Sequence, residues 1–145
     1  MPAPDKLLEA YQQAMGSHHH VSEFIANLNQ LAPLLREYDP VKKTNGIKAF
    51  LQIHVVDHFA FEETVVFPAL LALDTNVATR SLISELQYEH KTILLEVEKL
   101  HRLLQADDLG EFESAFRGFL GTLQRHAAKE DQLLYPLVQH HIRQS

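Results

Sequence analysis

Two stretches of this chain share one plan. His58 to Pro68 reads H-F-A-F-E-E-T-V-V-F-P, and His126 to Pro136 reads H-A-A-K-E-D-Q-L-L-Y-P. In each, a His is followed four residues on by a Glu and then by a second acidic residue, and an apolar run closes on aromatic-Pro. Residues four apart on a helix lie one turn apart on the same face, about 5–6 Å between Cβ atoms. An imidazole and a carboxylate at that separation suit one metal ion, or one ion of a pair. A single such pair is commonplace on a solvated helix. Two in the same register, each with a Pro six residues beyond the Glu, point to two helices turning the same face to a shared interior.

The rest of the chain reads as helix. Gly and Pro number only 5 and 6 in 145 residues and sit mostly where helices would begin or end. A first helix is predicted after Pro4 and Asp5. Its apolar stripe runs Leu7, Tyr11, Ala14, His18, Val21, Ile25, Leu28, Ala32, Leu35, the inward seam of a left-handed bundle. The run Met15 to His20 resembles an expression tag, but the seam passes through it in register, so it reads as native sequence. Asp39-Pro40 and Asn45-Gly46 mark the first connection. The second helix is expected to point Ile47, Leu51, His54, His58, Phe61, Glu62 and Val65 inward. Pro68 has no N–H for the Thr64 carbonyl, which predicts a bend or an end there. Asp74-Thr75-Asn76 reads as a turn with capping chemistry.

A third helix repeats the seam with Ile83, Leu86, His90, Ile93, Val97, Leu100 and Leu104, and Asp107 to Gly110 form the next turn. The last helix carries Phe112, Phe116, Phe119, Leu123, His126, Glu130, Leu133 and Leu137. It ends in His140, His141 and Arg143, which the helix dipole favours at that end and which read as solvated. Apolar offsets of three, seven and ten residues follow both His18 and His90. The spacing from His18 to His90 is 72 residues, and from His58 to His126 it is 68. A helical hairpin is therefore used twice. Short connections make neighbours antiparallel, which predicts one domain over residues 1–145, an all-α up-down-up-down four-helix bundle.

Such a bundle would aim one His from every helix, and a Glu from two of them, at its axis. A polar group buried without a partner costs about 1–3 kcal/mol, and an ionised carboxylate more. A metal satisfies all six together. The absence of Cys excludes disulfides, thiolate sites and iron–sulfur clusters. Imidazole with carboxylate suits iron, manganese, zinc or nickel rather than calcium or magnesium. Glu62 and Glu130, from facing helices, are placed to span two ions with two His on each, and a bridging oxide or hydroxide would balance the remaining charge. The net charge of −6 argues against nucleic acid and acidic membrane partners. No signal-like opening and no apolar run of about 18 residues is present, so the expected location is the cytoplasm.

The paired H-F-x-x-E-E…F-P and H-x-x-x-E…Y-P segments, with single His on the first and third helices, resemble the hemerythrin-like (HHE cation-binding) domain over nearly the whole chain. The resemblance implies a non-haem di-iron centre. Its ligands would be His18, His58, Glu62, His90, His126 and Glu130. Two departures stand out. Oxygen-carrying hemerythrins have a second His four residues before the third-helix ligand, where this chain has Leu86. They also place a carboxylate five after the fourth-helix His, which here is Asp131; Glu130, at plus four, matches the second helix and is the expected ligand. The missing imidazole opens the coordination sphere and weighs against dedicated oxygen carriage.

The functions implied are binding of dioxygen, nitric oxide or a related small ligand, for sensing, stress defence or iron handling. A di-iron oxidase or peroxide-consuming enzyme is the alternative, and a metal-free structural bundle is the third reading. His20 is the fallback for His18. His54 is open between ligand, hydrogen-bonding neighbour and core residue. Phe59, Phe61, Phe67, Tyr88 and Tyr135 are expected to wall the site from water, with Glu63 and Asp131 either facing outward or hydrogen-bonding to the ligands from behind.

Overall fold

The computed structural model of the protein describes residues 8, 9, 12, 13, 46–106 and 109–143. The described residues are helical throughout, apart from the short connections. Of the predicted first helix this leaves Leu8, Glu9, Gln12 and Gln13, all helical and exposed; the seam from Ala14 to Leu35, with His18 and His20, lies outside the described residues. Three helices follow, matching the predicted second, third and fourth: α1 over residues 46–73, α2 over Val77–Gln105, and α3 over residues 109–143. Leu109 and Gly110, expected in a turn, already belong to α3.

The core is in two parts. Ile47, Leu51, Val55 and Phe59 of α1 pack with Ile93, Val97 and Leu100 of α2 and with Phe112 to Leu123 of α3. Val66, Phe67 and Leu70 of α1 pack with Ile83 and Leu86 of α2 and with Leu134, Tyr135 and Val138 of α3. The early half of α2 thus meets the late halves of its neighbours, so α2 runs antiparallel to α1 and α3. Between the two apolar clusters lies a polar layer at the level of Glu62, His90 and His126.

The inward stripe of α2 is the predicted one, with only Leu104 less than fully buried. Those of α1 and α3 slip by one residue. Val66 is buried where Val65, 38% exposed, was expected; Leu134 is buried where Leu133, 49% exposed, was expected. The cause is local. Glu62–Val66 and Glu130–Leu134 are π-helical, as is Leu51–Asp57, whereas α2 is regular throughout. The Phe67 N–H donates to the Glu62 carbonyl and the Tyr135 N–H to the Glu130 carbonyl, each five residues back. A widened turn takes up an extra residue, and such turns recur at functional sites. Each is closed by the residue before a proline, Phe67 before Pro68 and Tyr135 before Pro136, so the missing N–H falls where the bonding pattern changes over. α1 accordingly runs through Pro68 to Leu73 instead of ending there.

The turn between α1 and α2 fastens the end of α3. Asp74 Oδ1 accepts the Asn76 N–H at 2.9 Å, and Asn76 Oδ1 accepts the Ala78 N–H at 3.0 Å, capping α2. Asp74 Oδ2 accepts the Thr79 hydroxyl at 2.9 Å and lies 3.0 Å from His141 Nε2. His141, expected in solvent, is thereby tied to the turn. The Asn76 N–H, followed by His141, holds the Asp74 carboxyl below its ordinary value. A carboxylate with a depressed folded pKa adds stability above its unfolded value, and that stability is lost as pH falls through the lowered one. Asp74→Ala should therefore lower the thermal midpoint at neutral pH, and its difference from the parent should shrink as pH falls below about 4. Thermal melts followed by circular dichroism across that range measure both.

Candidate metal centre

The polar layer is built by the repeated motif. His58 and Glu62 come from α1, His126 and Glu130 from α3, and His90 enters from α2 between them; none is more than 6% exposed. The one-turn spacing brings His58 Nε2 within 3.6 Å of Glu62 Oε1, and His126 Nε2 within 3.4 Å of Glu130 Oε1. His90 Nε2 lies 3.2 Å from Glu62 Oε1 and 3.6 Å from Glu130 Oε2, joining the two halves. One donor atom each from Glu62, His90, His126 and Glu130 falls within 4.8 Å of all the others. His58 adjoins this group through Glu62. Of the residues expected at the site, these five are brought together, and His18 lies outside the described residues.

Outer carboxylates set the rings. His90 Nδ1 is 3.1 Å from Glu63 Oε1, and Glu63 Oε2 accepts from Gln87 Nε2 at 3.1 Å. His126 Nδ1 is 2.8 Å from Glu89 Oε1, while Glu89 Oε2 accepts from Lys129 Nζ at 2.6 Å; Lys129 also binds Glu85. A ring that donates its Nδ1–H to a carboxylate turns the Nε2 lone pair inward, which fixes the tautomer a metal needs. The acidic residue after Glu62 is therefore used. Glu89 and Lys129 were not legible as site residues. Their signal was the i,i+4 acidic pair Glu85 and Glu89, which only helix pairing sets opposite the Lys three residues after His126.

Aromatic rings close the layer above and below. Phe59 stacks on His90 with centroids 3.9 Å apart and planes at 7°, and meets His126 edge-on at 5.2 Å. Phe67 lies over His90 at 5.6 Å. Tyr135 Oη donates to Glu62 Oε2 at 2.5 Å. Phe61 is half-buried beside the second core cluster. Tyr88, expected in the wall, is 72% exposed and takes no part. His54 is half-buried and lines, with His58, His126 and Glu130, a cavity of about 10 Å³, room for about one water-sized molecule.

Burial alone would pull the His90 imidazole down, but Glu130 and Glu62 outweigh it and push it up to about 9. Burial likewise opposes the His126 proton, and Glu130 and Glu89 raise that imidazole nonetheless. Burial, reinforced by the Glu62 and Glu130 charges, drives the Tyr135 phenol far up, so it stays a donor. The site thus demands positive charge in a dry interior. Buried Nε2 atoms of His90 and His126 make no hydrogen bond, though both face carboxylates. A divalent cation answers both features, and this donor set fits one.

The hemerythrin HHE cation-binding domain model matches residues 9–138. The chain belongs to this family. Neither curated proteins nor solved structures gave a match. Against the hemerythrin pattern, Glu130 faces His126 and His90 from the interior while Asp131 is exposed, so the plus-four carboxylate is the inward one. Leu86, where carriers have a second His, is fully buried in the second apolar cluster.

Phe59 supports two imidazoles and belongs to the first core cluster. Phe59→Ala should cost about 3–5 kcal/mol, read from urea denaturation, whereas Tyr88→Ala should change stability by less than about 0.5 kcal/mol.

Proposed function

We propose that this hemerythrin-family chain, read as one domain, holds a non-haem di-iron centre and binds dioxygen, nitric oxide or a related small molecule. Its role would be sensing, stress defence or iron handling in the cytoplasm. The ligands are His58, Glu62, His90, His126 and Glu130, with His18 completing the set from the first helix of a four-helix bundle. The observation that carries this reading is the convergence of Glu62, His90, His126 and Glu130 donor atoms within 4.8 Å inside a buried layer. A structural bundle has no need of two carboxylates there, since apolar side chains of similar volume would be at least as stable.

Bound iron supplies redox-active coordination positions that a small molecule can occupy. The chain's own residues do the rest. Glu63 and Glu89 aim the imidazoles, Phe59 and Phe67 exclude water, and the cavity beside His54 leaves space next to the donors. No described helix is long and apolar enough to cross a membrane.

Metal analysis of protein loaded with ferrous iron should give two ions per chain. His58→Ala and His126→Ala should each lower that count while leaving the helical circular dichroism intact; full iron content in both variants would reject the ligand assignment. Manganese, zinc or nickel in equal amounts after competitive loading would reject iron as the preferred metal.

Protons compete with metal for imidazole nitrogen, so bound metal should be lost as pH falls through the His range, near 6 and below. Dialysis at stepped pH with metal analysis tests this, and undiminished metal at pH 4 would contradict it. Leu86 supports the second reading, a peroxide-consuming enzyme, because it leaves a coordination position without an imidazole. Sustained peroxide turnover would favour that reading; a reversible spectral change with oxygen and no turnover would favour binding.

A further inference from the structure

The internal repeat breaks at several places inside the site, with Phe59 in register with Ala127 and Glu63 with Asp131, and one further break bears on a carboxylate. Nine residues beyond His58 stands Phe67, and nine beyond His126 stands Tyr135, so the two halves differ there by one hydroxyl. Both rings are buried and both close a widened helical turn. The extra hydroxyl reaches across to the opposite half and donates to Glu62 Oε2 at 2.5 Å. That length is typical of a strong bond to an ionised carboxylate.

The two carboxylates are thereby made unequal. Glu62 turns Oε1 to the imidazoles, 3.2 Å from His90 Nε2 and 3.6 Å from His58 Nε2, while Oε2 is engaged by Tyr135. Glu130 turns both oxygens to imidazoles, Oε1 at 3.4 Å from His126 Nε2 and Oε2 at 3.6 Å from His90 Nε2. We infer that Tyr135 is a positioning residue that fixes Glu62 through its Oε2, so that the two carboxylates would meet bound metal inequivalently. This rests on the dinuclear reading above and departs from the expectation that Glu62 and Glu130 serve alike. Its consequence would be two chemically distinct metal positions, to whose inequivalence the Tyr135 hydroxyl contributes.

Mössbauer spectra of the full-length, iron-loaded chain test it. The parent should show two quadrupole doublets of equal area. Tyr135→Phe, which copies the residue already used at the matching place, should keep the iron content while the doublets merge towards one. Tyr135→Met, also lacking the hydroxyl, should do the same and serves if the Phe variant loses helix. Tyr88→Phe, at an exposed position, should leave both doublets unchanged. A single doublet in the parent, or two unaltered doublets in a Tyr135 variant that retains iron, would overturn the role of Tyr135 and leave the metal centre standing. Absence of iron from the parent would overturn the metal centre and this inference with it.

Discussion

Everything in this fold is arranged around carboxylates that have been taken out of water. Glu62 and Glu130 sit in a layer sealed on both sides by apolar clusters, where an isolated carboxylate would be strongly disfavoured. Imidazoles from α1, α2 and α3 face them, and the attraction is strong enough to overcome the burial that would otherwise strip a proton from His90. Buried carboxylates of this kind call for positive charge beside them, whether from a protonated imidazole or a bound cation. That requirement explains why the buried polar groups form one compact layer.

Precision in that layer comes from further out. Each imidazole of α2 and α3 has a carboxylate on its Nδ1 side, and those carboxylates are themselves anchored, one by a neutral amide and the other by an ammonium group. Helix packing brings these partners from different elements: Glu63 of α1 serves the His of α2, and Glu89 of α2 serves the His of α3. Each of α1 and α2 thus orients a donor that it does not own. Correct ring orientation is then a property of the assembled bundle, which ties the competence of the site to the fold as a whole.

The family, the repeated His-Glu segments and the inward places of His58, Glu62, His90, His126 and Glu130 were legible because helical spacing is a strict ruler. For α2, regular along its length, the ruler worked almost to the last residue. For α1 and α3 it failed just past Glu62 and Glu130, where Val66 and Leu134 replaced the expected Val65 and Leu133. A period of 3.6 residues cannot foresee a turn that takes up one more. Pro68 and Pro136 announced that something irregular was near, without saying whether the chain would stop, bend or widen. Glu89, Lys129 and the tie from His141 to Asp74 were hidden for another reason. Their partners lie 40, 40 and 67 residues away along the chain for the Lys129–Glu89 pair, seen from either side, and the His141–Asp74 pair, and only packing brings them together.

The widened turns also say something about how the motif is kept. Each behaves as an ordinary helix carrying one surplus residue, absorbed directly after the metal-facing Glu. Removing that residue would let the segment relax to regular winding and keep the distal apolar stripe facing the core. What would change is the angular relation between the Glu and the aromatic ring at the turn's far edge, the ring that is Phe67 in one half and Tyr135 in the other. The bulge is the device by which a carboxylate and an aromatic side chain from one short segment both face the same interior, which evenly wound helix of that length would not provide.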